Sequence, residues 1–105
     1  MSKVYTLTFL KRGVIMIYTE NGCSPNGAEN VWESKLADLE IKASQLEMTK
    51  ILGTTSWKGT ASQVAAMVDN WFLDDWGGPS YEGMTDSDVE EHAQSSYHHP
   101  AFIIR

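Results

Sequence analysis

Trp32, Leu36, Leu39, Ala43 and Leu46 recur at alternating intervals of four and three residues. That spacing puts five apolar side chains on one stripe of an α-helix, and the stripe needs a second apolar surface to cover it. Glu29, Glu33, Lys35, Asp38, Glu40, Lys42 and Glu47 mostly fall off the stripe. The pattern predicts a helix from about Ala28 to Lys50. Glu29 and Glu33 would lie in its first turns and Lys50 in its last, as the helix dipole favours. Ile41 and Met48 are also off the stripe. Either they pack against something else, or the helix breaks early and hands its end to a strand.

A second helix is expected from about Ala61 to Trp76, with Ala61, Val64, Ala65, Val68, Trp71 and Phe72 at helical spacing. Thr60 or Ser62 would cap it, and Gly77-Gly78-Pro79 would end it. Thr85-Asp86-Ser87-Asp88 has the form of a capping box and predicts a short helix from about Asp86 to Gln94.

The covering surface comes from β-rich segments. Val4–Leu10 and Val14–Thr19 are rich in β-branched and aromatic residues, with Lys11-Arg12-Gly13 between them. They read as an N-terminal β-hairpin from Val4 to Thr19. In its first strand Tyr5, Leu7 and Phe9 share one face and Thr6 and Thr8 the other. Glu20–Gly27, with two Asn-Gly pairs and Pro25, reads as a loop. Ile51–Trp57 fits either a short strand or a loop. Ala101–Arg105 is apolar and β-branched, and is expected as a last strand beside the hairpin. The expected fold is therefore α+β, one domain over residues 1–105. A small antiparallel sheet, the N-terminal hairpin plus the C-terminal strand, is packed by two main helices.

Composition narrows the function. At 105 residues, with 42% apolar and 21% charged, the chain can bury one core and does not resemble a disordered segment. No run is apolar enough to span a bilayer, and the first residues lack the pattern of a secretory signal, so a cytoplasmic location is expected. The lone Cys23 forms no internal disulfide. A net charge of -6 disfavours direct nucleic-acid binding.

That charge is unevenly spread. Residues 1–52 carry six bases (Lys3, Lys11, Arg12, Lys35, Lys42, Lys50) and six acids (Glu20, Glu29, Glu33, Asp38, Glu40, Glu47). Residues 53–105 carry Asp69, Asp74, Asp75, Glu82, Asp86, Asp88, Glu90 and Glu91 against only Lys58 and Arg105. Aromatics are interleaved with these acids in Trp71-Phe72-Leu73-Asp74-Asp75-Trp76 and Tyr81-Glu82. On the expected helix, Trp76 and Leu73 fall beside Asp69 and Asp74, away from Trp71 and Phe72. A Trp ringed by carboxylates suits a Lys/Arg-rich site through cation–π contact and ion pairing. A solvated face that keeps the chain soluble carries about equal weight, as does a core-capping Trp76.

Catalytic signatures are lacking. Asp86-Ser87-Asp88 opens like a calcium loop but has Glu91 where the required Gly stands and Tyr97 where the last acid stands. Gly53–Thr60 holds phosphate-loop residues in the wrong order, because Lys58 precedes Gly59. No Gly-x-Ser-x-Gly turn is present, and Cys23 has no base near it in sequence. His92, His98 and His99 with the neighbouring acids are the one candidate metal set, although His98 and His99 would point to opposite faces of a strand. A polar turn before the last strand accounts for them more simply.

In size, charge and single-domain build the chain is similar to small acidic accessory proteins of phages and other mobile elements, many of which occupy a basic surface of a host protein. The leading expectation is a non-enzymatic inhibitor or adaptor with no cofactor. Its acidic half would meet a basic protein surface through Asp69, Leu73, Asp74, Asp75, Trp76, Tyr81, Glu82, Asp86 and Asp88. A homodimer is compatible with the sequence. The alternative is a small metal-binding domain or metal-dependent enzyme using His92, His98 and His99.

Overall fold

A computed structural model of the chain describes residues 3–72, 84–95 and 101–105. In chain order the elements are β1 (Tyr5–Phe9), α1 (Lys11–Glu20), α2 (Pro25–Gln45), β2 (Thr49–Ile51), β3 (Ser56–Gly59), α3 (Ala61–Phe72), α4 (Asp86–Gln94) and β4 (Phe102–Ile104). The strands form one antiparallel sheet in the order β2-β3-β1-β4. Two strand–helices–strand halves joined by the β2–β3 hairpin give the split βαβ, or ferredoxin-like, arrangement. The α+β class and the small antiparallel sheet are as the sequence implies. Many unrelated functions use this topology, so it carries no function by itself. Among the described residues no helix is long and apolar enough to cross a membrane.

The N-terminal hairpin does not form. Lys11–Glu20 is a helix, and Gly13 is a buried residue within it, not a turn. Val14 is fully buried while Met16 is 47% exposed, so these two do not share a face as they would in a strand. The places beside β1 are taken by distant strands. Leu7 pairs with Trp57 of β3 on one side and with Ile104 of β4 on the other. The C-terminal strand stands as expected, beside β1.

The helix α2 starts earlier and ends earlier than its stripe implies. Ser24 caps it by accepting the Gly27 N–H at 3.0 Å, and Pro25 occupies the first turn, where its missing N–H costs nothing. At the other end the Glu47 N–H donates to Ser44 O at 3.1 Å and the Met48 N–H to Ala43 O at 2.9 Å. These two bonds make a Schellman stop, with Glu47 at φ 60 in the left-handed region where glycine is usual. Thr49–Ile51 then becomes β2, so Lys50 belongs to a strand and not to the last helical turn. A turn centred on Leu52-Gly53, closed by the Thr54 N–H to Ile51 O bond at 3.2 Å, leads into β3. Gly53 supplies the φ of 77 that this turn requires.

One face of the sheet makes the core. Tyr5, Leu7 and Phe9 of β1 are buried with Trp57, Phe102 and Ile104. Against them lie Val64, Ala65, Met67 and Val68 of α3, Val89 of α4, and Trp32, Leu39 and Ala43 of α2. Leu36 and Leu46 pack at its margin. The side chains of Trp71 and Phe72 lie outside the described residues.

Two stability predictions follow from this packing and this helix end. Phe102→Ala should lower unfolding free energy by about 3–5 kcal/mol, because the ring is buried against Phe9. Glu47→Gly should raise it by about 1 kcal/mol, since glycine removes the cost of a left-handed backbone. Urea denaturation monitored by tryptophan fluorescence measures both.

Candidate protein-interaction surface

Two helix starts meet at one corner of the fold, and both are capped by their own side chains. At α3 the Thr60 N–H donates to Gln63 Oε1 at 2.8 Å, and the Gln63 N–H donates to Thr60 Oγ1 at 3.3 Å. Gln63 Nε2 also donates to the Leu46 carbonyl at 2.7 Å, which ties this corner to the end of α2. Gly59 leaves the room that Gln63 fills, since a Cβ there would stand 2.5 Å from Gln63 Oε1. At α4 the Thr85 N–H donates to Asp88 Oδ2 at 2.9 Å and the Asp88 N–H donates to Thr85 Oγ1 at 3.3 Å. The capping sequence at Thr85 thus forms as the sequence implies. Of the two candidate caps for α3, Thr60 is the one used.

Ser62 Oγ joins the two starts by donating to the Asp86 carboxylate, at 3.0 and 2.9 Å from its two oxygens. Tyr5 reaches across from β1 to donate its hydroxyl to Glu90 Oε1 at 3.4 Å. Lys3, Tyr5, Thr60, Ala61, Ser62, Asp86 and Glu90 line an open groove of about 460 Å³ at this corner.

The electrostatics follow from these bonds. The Thr85 N–H, then its hydroxyl, hold the Asp88 carboxyl below its usual range, with a smaller contribution from the nearby His92. Asp86 and Asp88 also stand in the first turn of α4, where the helix dipole favours negative charge. Burial of the ring, then the charge of Glu90, raises the Tyr5 phenol above its ordinary value, so it stays a neutral donor.

Of the sequence-derived candidates, Asp86 and Asp88 come together here, and each has a bonding partner inside the chain. Asp69 lies on α3, with its side chain outside the described residues. Leu73, Asp74, Asp75, Trp76, Tyr81 and Glu82 also lie outside them. His92 is half-buried with its ring 5.8 Å from that of Phe102. His98 and His99 fall outside the described residues, and among the described residues no group of three or more His, Cys, Asp or Glu is placed to hold a metal ion.

The charge asymmetry has a structural counterpart. In the first half, two of the six acids are matched across elements: Lys11 pairs with Glu29 at 3.1 Å, and Lys50 with Glu40 at 2.5 Å. On α4, Asp86, Glu90 and Glu91 are exposed and make no ion pair among the described residues. Glu90 and Glu91 are the contributors that the interleaving of acids and aromatics does not single out. Their signal is their place on the solvent side of a short helix whose inward residue is Val89.

The lowered Asp88 pKa fixes a sign. Its stabilising effect is complete above the unfolded carboxyl value of about 3.9 and is lost as pH falls through the lower folded value. Melting temperature should therefore fall less steeply below about pH 4 in Asp88→Asn than in the parent, as thermal melts across an acid pH series would show. No protein-family model matches this chain, and neither does a curated protein or a solved structure.

Proposed function

We propose that the chain is a non-enzymatic binding protein, an inhibitor or adaptor, whose acidic half docks on a basic surface of another protein in the cytoplasm. The observation that carries this reading is that the exposed carboxylates of Asp86, Glu90 and Glu91 on α4 make no ion pair among the described residues, in a half of the chain that carries eight acids against two bases. Unpaired charge of one sign speeds encounter with a surface of opposite sign and turns away acidic competitors. The same half supplies Asp69, Asp74, Asp75 and Glu82 in sequence, together with Leu73 and with Trp76 and Tyr81, the aromatic types enriched at interface hot spots. Capping gives Asp86 and Asp88 a fixed place, so the acids beside them are presented from a helix whose start is held.

The test is co-purification with the tagged parent and with a variant carrying Asp74→Lys, Asp75→Lys and Glu91→Lys. A protein retained only by the parent is then titrated with both at two salt concentrations. The variant should bind at least about tenfold more weakly, and the parent's affinity should fall as salt shortens the screening length below about 8–10 Å. Glu91 lies in the C-terminal half of α4, where a negative charge opposes the dipole, so thermal melts should show no loss of stability at that position. Equal affinity of parent and variant would refute these acids as contact residues.

A further inference from the structure

The sheet has a second face, which no described helix covers. Pleating sends Thr6 and Thr8 of β1 away from the core, and strand pairing extends that alternation across the sheet. One row reads Thr49–Lys58–Thr6–Arg105: Thr49 faces Lys58, Lys58 faces Thr6, and Thr6 exchanges backbone bonds of 2.7 and 2.9 Å with Arg105. The next row reads Ile51–Ser56–Thr8–Ile103, with Thr8 Oγ1 and Ser56 Oγ bonded at 2.7 Å in its centre. The face thus has a cationic row beside a row ended by two isoleucines.

Its charge is opposite to that of the rest of the molecule. No residue of the four strands is acidic. Lys58 and Arg105 are exposed, and neither makes an ion pair among the described residues. They stand two strands apart, roughly 10 Å, with the Thr6 hydroxyl between them. The aromatic residues of the strands, Tyr5, Phe9, Trp57 and Phe102, are all buried on the other side. Among the described residues the face therefore offers no platform for stacking bases, which single-stranded nucleic acid needs.

We propose that this open face binds an acidic amphipathic helix of a partner protein. Carboxylates seven residues apart on such a helix are about 10.5 Å apart, which matches the Lys58–Arg105 separation. Apolar side chains on its neighbouring edge would cover Ile51 and Ile103. This surface is distinct from α4 and does not depend on the reading given to the acidic half.

The probe is a fluorescein-labelled synthetic helical peptide of about 20 residues with a Glu edge and a Leu edge. Binding is followed by anisotropy and mapped by amide shifts. The parent should bind it, with shifts at Thr6, Thr8, Ser56, Lys58 and Ile103. Lys58→Glu with Arg105→Glu should weaken binding at least about tenfold at an unchanged melting temperature, whereas Glu91→Lys should not weaken it. The proposal is overturned if the parent does not bind, if the double reversal binds as well as the parent, or if the shifts map to the helices. Equal binding of a peptide with Lys in place of Glu, displacement by a thymidine oligonucleotide, or self-association of the parent that the reversal abolishes would each overturn the assigned occupant.

Discussion

Phe9 sits where three strands meet. Its ring lies edge-on to Trp57 at 6.2 Å and tilted to Phe102 at 6.4 Å, and so links β1 to both of its neighbours. Both neighbours come from far along the chain. The central strand is made near the N-terminus, and its pairing is completed only when β3 and β4 arrive. The helices depend on that sheet, because α3 and α4 bury Val64, Val68 and Val89 against the face these rings fill. Contacts of such long sequence separation close large loops before they are rewarded, so the order of the sheet sets the cost of folding more than any single helix does.

Committing every strand aromatic to one face fixes the character of the other. What remains there is short and polar, or cationic, with Ile51 and Ile103 at the flanks. Acids cluster instead on α4, where the first-turn dipole and the cap stabilise Asp86 and Asp88. The fold thereby separates charge in space: negative on α4, positive on the open face of the sheet. Composition alone gives only a net charge of -6 and conceals that division.

The parts legible in the sequence are those in which a local signal and the tertiary packing agree. Alternation in Tyr5–Phe9, the helical spacing of α3, the Thr85–Asp88 box and the apolar end at Phe102–Ile104 all belong to that class. The α1 segment does not. Its apolar run suits strand or helix, and its start carries neither a side-chain cap nor a first-turn acid. What decides it is that both hydrogen-bonding edges of β1 are already occupied, which is non-local information. The end of α2 is only half legible, for the opposite reason, a local one. Its stop uses Glu47 where a glycine is the usual signal, so the sequence marks the break only by Met48 falling off a stripe that ends at Leu46, which leaves a helix to Lys50 and an early hand-over to a strand both open. Ser24-Pro25 is a start signal masked in sequence by the two Asn-Gly pairs around it.

The candidate surface was less legible than the fold, because residue type does not show which carboxylates are engaged inside the chain. Asp86 and Asp88 look alike in sequence to Glu90 and Glu91. The structure separates them. Asp88 closes the cap and Asp86 receives Ser62, so these two position the helix start, while Glu91 faces outward without an internal partner bond among the described residues. On the proposed reading, acids of the first kind would act on affinity through the placement of α4, and acids of the second kind through charge alone. Salt should therefore attenuate the contribution of Glu91 far more than that of Asp88, whose hydrogen bonds are held at short range. A mutation at Asp88 that weakened binding would accordingly report on the geometry of the surface and not on its field.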